Sequence, residues 1–227
     1  MPLAYAAAFG AAQIAEHAQI ALRRGNALAH AELCRAAQSS LVCVVADNRP
    51  GLLALVTDAL LAQGFGVHGA QAYCRKRADG RTERLVFLEL HQARGGAGES
   101  FEATELASFL QTLTELISED IQASARPSAA PVRSVPAARA YFELEALRRG
   151  EYVLLVEAPD SQGLLHAITS ALYAQGVRIL TCQIATDAGR ARDRFELASI
   201  DGGLLSDADL CDIQLSVLGS LPLRNAT

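Results

Sequence analysis

The chain has no tryptophan and one methionine, and aromatic residues make up only 5% of its 227 positions, so large rings cannot build its interior. With 51% apolar residues, its cores are expected to rest on Leu, Val, Ile and Ala, with Ala-rich helices. The five cysteines, Cys34, Cys43, Cys74, Cys182 and Cys211, are an odd number with no close pair. That argues against a disulfide framework or zinc site and for a reduced, cytoplasmic setting. His68, His91 and His166 lack His-x-x-x-His spacing, so no metal site is expected. No Lys/Arg-rich block is interleaved with aromatics, and the net charge of −5 gives no general attraction for phosphate backbones; direct nucleic-acid binding is not expected. Nor does any apolar run approach the roughly 20 residues of a spanning helix, so no membrane partner is expected. The apolar start from Ala4 to Leu22 lacks a basic n-region and carries Glu16 and His17, unlike a secretory signal. Gly95-Gly96-Ala97-Gly98 lacks the Lys-Ser/Thr of a phosphate loop, and no nucleophile–base pair emerges. No enzyme activity and no cofactor are expected.

What the chain does have is a repeat. Asp47-Asn48-Arg49-Pro50-Gly51-Leu52-Leu53 returns, altered, as Pro159-Asp160-Ser161-Gln162-Gly163-Leu164-Leu165, an interval of 112 positions. With Gly51 laid on Gly163, Thr57 falls on Thr169, Ala62-Gln63-Gly64 on Ala174-Gln175-Gly176, and Gln71 on Gln183. A duplicated module follows, and two like modules can pack together and build a ligand site where they meet.

Around each copy the pattern is the same. Leu41 to Val45 is a short β-rich run without alternation, as expected of a strand buried on both faces. After the turn, Leu52, Leu53, Val56, Leu60 and Leu61 recur at helical spacing up to Gln63-Gly64. Val67 to Arg75 and Thr82 to His91 flank Asp79-Gly80, a hairpin signal. Phe101 to Ala123 carries Leu106, Phe109, Leu110, Leu113, Leu116 and Ile117 on one helical face, which is expected to cover the sheet. The second copy repeats the order: strand from Tyr152, helix from Leu164, strands from Val177 and Asp193, helix from Asp207. Ala140 to Leu147 is a further strand that could belong to either module, and Ser220 to Leu223 is a short C-terminal candidate limited by Pro222. Before the first copy, Ala11 to Ala37 reads as two short helices broken at Gly25-Asn26. The expected fold class is α+β, two ferredoxin-like βαββαβ modules with antiparallel sheets after a short helical segment. The segments are residues 1–38, a first module at 39–122, a Pro/Ser/Ala linker at 123–138 and a second module at 139–227.

A βαββαβ unit with Asp47 and Arg49-Pro50-Gly51-Leu52-Leu53 between first strand and first helix, and Gly64-Phe65-Gly66-Val67 at the helix exit, resembles the ACT domain, the small-molecule sensing module of amino-acid metabolism. In tandem, and with the Val135-Pro136 strand entry and the Phe9 to Ala18 helix, the chain from about residue 5 to 220 resembles the C-terminal part of the bifunctional uridylyltransferase/uridylyl-removing enzymes. The catalytic portions of that family have no counterpart: Asp207-Ala208-Asp209 precedes Gly219-Ser220, the wrong order for its nucleotidyltransferase part, and no His-Asp dipeptide occurs.

The resemblance implies effector binding where the glycine turn meets the second strand of a neighbouring module. By copy, the implied positions are Asp47, Asn48, Arg49, Gly51, Leu52, Gly66 and Val67, then Asp160, Gly163, Leu164, Arg178 and Ile179. The glycine admits close backbone approach, and the helix start favours a carboxylate. Family members usually carry Asn where Gly66 and Arg178 stand, and Ser161-Gln162 replaces Arg-Pro in the second copy, so the first turn is the fuller match. Each glycine serves either as a helix-start residue only or as a ligand corner as well; Gln71 and Gln183 either face a ligand or, the favoured reading, line a module interface, and Arg49 either recognises a carboxylate or, as is commoner for a turn arginine, is solvated. The expected function is non-catalytic sensing of an amino acid such as glutamine, as a homodimer or with a partner regulatory enzyme. The alternative is a ligand-free scaffold for dimerisation or docking.

Overall fold

A computed structural model describes residues 3–34, 41–92, 103–122, 138–143 and 150–222. Among these residues eight strands form one antiparallel sheet in the order β1-β2-β4-β3-β7-β8-β6-β5. The first module contributes β1 (Ala29–Cys34), β2 (Leu41–Asp47), α3 (Leu52–Ala62), β3 (Phe65–Lys76), β4 (Thr82–Gln92) and α4 (Ala103–Gln122), after the helices α1 (Leu3–Ala8) and α2 (Ala11–Arg24). The second contributes β5 (Arg139–Phe142), β6 (Tyr152–Pro159), α5 (Leu164–Ala174), β7 (Val177–Asp187), β8 (Arg190–Ser199) and α6 (Asp207–Ser220).

The unbroken apolar run of β2 has the cause its pattern suggests. Val42, Val44 and Ala46 face the core that α3 and α4 cover, while Cys43 and Val45 face a second core with Tyr5 and Ile20 of the N-terminal helices. In β4, Val86 and Leu88 face one way and Leu85 and Phe87 the other. Strands buried on both faces lose the polar/apolar alternation that a half-solvated strand keeps.

Two elements depart from the sequence reading. The second preface helix is instead β1, which pairs with β2 from Ala29↔Ala46 to Cys34↔Leu41. Ala, Glu and Leu favour a helix locally, but a strand here closes the β2 edge and buries Ala29 and Ala31, and packing overrides propensity. Among the described residues, which end at Pro222, the short C-terminal strand does not form. Residues as far as Ser220 belong to α6, with Leu221 as its C-cap. The edge beside each module's first full strand is filled from the N-terminal side, by β1 against β2 and by β5 against β6, which assigns β5 to the second module. Gly95 to Gly98 and the linker prolines lie outside the described residues.

The modules join by an approximate twofold axis. Strands β3 and β7 pair antiparallel with Gln71 opposite Gln183, its own repeat equivalent, as the interface reading expects. Above the sheet α3 packs on α5, where the Thr57 and Thr169 hydroxyls, also equivalents, lie 3.2 Å apart. One continuous apolar core runs across this seam.

Candidate functional site

Each glycine turn leads from its strand into a helix through a left-handed backbone. Gly51 has φ 76° and ψ −9°, and Gly163 has φ 80° and ψ 2°, the region where a Cβ is penalised and glycine is not. Neither helix start carries a side-chain cap. At α6, by contrast, the Ser206 hydroxyl accepts from the Asp209 N–H and the Asp209 carboxylate accepts from the Ser206 N–H. That capping box is the structural employment of the Asp207-Ala208-Asp209 sequence. The Leu52 and Leu164 N–H groups donate back to the Arg49 and Ser161 carbonyls at 3.4 and 3.1 Å, and the next two N–H groups of α3 and α5 have no intrahelical acceptors; with the helix dipole those favour an anion.

The corners are completed across the seam. Because β3 and β7 are antiparallel neighbours, each module's first helix starts over the other's second strand. Gly51 and Leu52 share a small cavity with Val177 and Ile179 of β7, and Asp160, Gly163 and Leu164 share another with Gly66 and Val67 of β3. Grouping by copy is therefore redrawn: Ile179 goes with the first turn, Gly66 and Val67 with the second.

Other implied residues stand elsewhere. Alternation along β7 leaves Arg178 exposed, on the sheet face opposite Val177 and Ile179. Asp47 takes an ion pair from Arg24 of α2 at 2.7 Å. Arg49 is not a solvated turn residue: its guanidinium donates to the Ile117 carbonyl at 3.2 Å and pairs with Asp120, tying the turn to α4. The Asn48 side-chain oxygen accepts from Arg84 at 3.0 and 3.1 Å.

The two corners, alike in backbone, differ in what fills them. In the ladders Val44 faces Val86 while Val156 faces Asp193, and Ala46 faces Arg84 while Ala158 faces Ala191. Asp193 thus occupies the position of Val86, and Arg84 that of Ala191. At the first corner Arg84, only 4% exposed, donates to Asn48 and to the Ile179 carbonyl across the seam, and the Tyr173 ring lies against Gly51. About 20 Å³ remains, room for little more than one water. At the second corner Ala191 stands in that place, and a somewhat larger space of about 30 Å³, open to solvent to the same degree as the first, is lined by Thr57, Leu61, His166 and Asp193 as well as the turn.

Asp193 is the unusual group of this corner. It is 2% exposed, and its Oδ1 has no hydrogen-bond partner. Burial, and then the negative charge of Asp160, push its carboxyl up to about 7, against which a hydrogen bond from the Ala185 backbone acts. A protonated Asp193 carries a donor, and an ionised one demands a cation. Sequence reasoning missed Asp193 and Arg84 as site groups. The available signal was a polar residue at an inward position of an alternating strand, with Ala191, Phe195 and Leu197 sharing its face. Among the described residues no three His, Cys, Asp or Glu side chains converge as a metal-binding group.

No family model matches the chain. It is 27% identical over 209 residues, 90% of its length, to the bifunctional uridylyltransferase/uridylyl-removing enzyme of Phenylobacterium zucineum. It is 29% identical over 177 residues to that of Xanthomonas axonopodis pv. citri and 27% over 174 residues to that of Vibrio parahaemolyticus, covering 74% and 73% of the chain. Among solved structures, a crystal structure of an unknown protein from Galdieria sulphuraria matches 70% of this chain and 80% of its own at 22% identity, with a TM-score of 0.22. The chain is similar to one part of the bifunctional uridylyltransferase/uridylyl-removing enzymes, spanning 18–22% of the length of these relatives.

Proposed function

We propose that this chain is a regulatory unit without catalysis of its own, in which two ACT-like modules bind a small amino acid such as glutamine at their seam. The observation that carries this reading is the pair of uncapped helix starts behind Gly51 and Gly163, each aimed at the opening of the other module's second strand. Helix N–H groups take a carboxylate, and backbone and side chains of the facing strand take the rest of the molecule. The similarity to a short part of the uridylyltransferase/uridylyl-removing enzymes supports a regulatory role, with the chemistry performed elsewhere.

The mechanism is a population shift. A ligand touching both α5 and β3 favours the arrangement of modules in which those elements meet, by no more than its affinity difference between arrangements. The output is a change in packing sensed by a partner enzyme or a second copy of the chain. Thermal unfolding with glutamine, glycine, serine or a branched-chain amino acid at millimolar concentration tests this: one of them raises the midpoint. A folded sample that responds to none would return the chain to the scaffold reading. That second reading draws on the first corner, where Arg84 and Tyr173 occupy the space a ligand would need.

A further inference from the structure

We propose that the second corner recognises a positively charged amine through Asp193, and that the first corner is closed by the chain's own cation, Arg84, so that each chain takes one ligand rather than two. This rests on the sensor reading above and adds to it the chemistry and the number of its site.

Three observations converge. Asp193 lies in the sheet beneath the second corner, almost wholly buried, with one oxygen lacking any hydrogen-bond partner. The other buried carboxylate among the described residues, Glu83, is held by Arg24 at 3.3 Å and by Arg75. A buried acceptor without a donor is costly, and its persistence beside an opening marks a place for a donor brought from outside.

The duplication supplies the second observation. The first corner already contains a cationic donor, the Arg84 guanidinium, which reaches Asn48 and the Ile179 carbonyl. Val67 is the repeat equivalent of Ile179, and both precede a bulge in their strands. The second corner has this acceptor-rich setting but carries Ala191 where Arg84 stands, and it gains an acid at Asp193. The cation that the first corner holds internally is missing from the second.

Size and charge give the third. The space of about 30 Å³ admits an ammonium group or a water, not a whole amino acid, while the uncapped start of α5 lies at the same opening. A zwitterion matches both ends, its ammonium on Asp193 and its carboxylate on the helix N–H groups. A 2-oxo acid or a phosphate satisfies only the helix start and meets Asp160 and Asp193 with like charge. The ligand class is therefore an α-amino acid and not its deaminated counterpart.

The test uses the full chain. The twenty common amino acids are screened singly by thermal shift, and the compound giving the largest shift is titrated calorimetrically, alongside the same compound lacking its amine. The titration is repeated on Asp193→Asn and on Asp193→Val, the latter restoring the first corner's residue. Expected are one ligand per chain and a loss of about 10- to 100-fold in affinity for the deaminated compound and for both variants. The variants' unfolding midpoints, read without ligand, check that they remain folded. Two ligands per chain, or affinity unchanged by either variant, overturns the inference and leaves the sensor reading standing. A panel without a single hit removes the sensor reading and this inference with it.

Discussion

Replacing Asp193 by Asn should change the way stability depends on pH. In the folded chain the carboxyl titrates at about 7, against an ordinary 3.8, because burial and Asp160 disfavour its charge. The folded state therefore holds a proton that the unfolded state releases between about pH 4 and 7. Where the native state binds more protons, stability falls as pH rises, so the penalty is absent below about pH 4 and complete above about pH 7. The gap between about 7 and 3.8, at about 1.4 kcal/mol per pH unit, caps the penalty at about 4 kcal/mol. Asn keeps the shape and cannot ionise. Urea unfolding of both proteins at steps from about pH 4.5 to 8.5 should give a difference that grows with pH in favour of Asn, reaching a few kcal/mol. Other carboxylates titrate in both proteins and cancel. A constant difference across the range would refute the assignment of Asp193 as an unpaired buried acid.

Gly51→Ala and Gly163→Ala should differ, although the two residues are equivalents with nearly the same φ. Both incur the left-handed penalty of about 1–2 kcal/mol, but at Gly51 the new Cβ would lie 2.8 Å from the Tyr173 ring, while at Gly163 its nearest neighbour is Leu61 at 3.6 Å. Chemical denaturation should therefore rank Gly51→Ala as the more destabilised; equal losses would argue against the Tyr173 contact. Glu83→Gln removes the charge shared by Arg24, Arg75 and Arg77 at a fully buried site and should cost about 3 kcal/mol or more, read as a lowered urea midpoint. A midpoint unchanged from wild type would mean that the arginines do not depend on it.

The sequence carried the modules further than it carried the site. Strands β2 and β4, helix α3 and the Asp79-Gly80 turn declare themselves through local composition, and the 112-residue repeat ties the two halves together. Strand β1 hid behind helix-forming residues because its strand character comes from a partner, β2, and not from its own side chains. The crossing of the corners was equally invisible to local reading: which second strand faces which turn depends on β3 pairing with β7, a contact between residues more than a hundred positions apart. Gly66, Val67 and Ile179 were named by copy, and the resemblance set the site between a turn and a neighbouring module's second strand; that the neighbour is the other half of the same chain comes from the β3–β7 pairing. Asp193 stood at the head of a strand, where a polar residue draws no notice; its significance comes only from the face on which alternation puts it. Arg49 read as solvated because Asp120, its partner, is distant in sequence.

The most direct test of the account is hydrogen exchange on the full chain, with and without the amino acid that most raises its melting temperature. A ligand held across the seam should slow exchange in two segments at once, around Phe65 to Gly69 of the first module and around Asp160 to Ala167 of the second, with little change at Asn48 to Leu53. Protection confined to one module, or centred on the Gly51 turn, would contradict it.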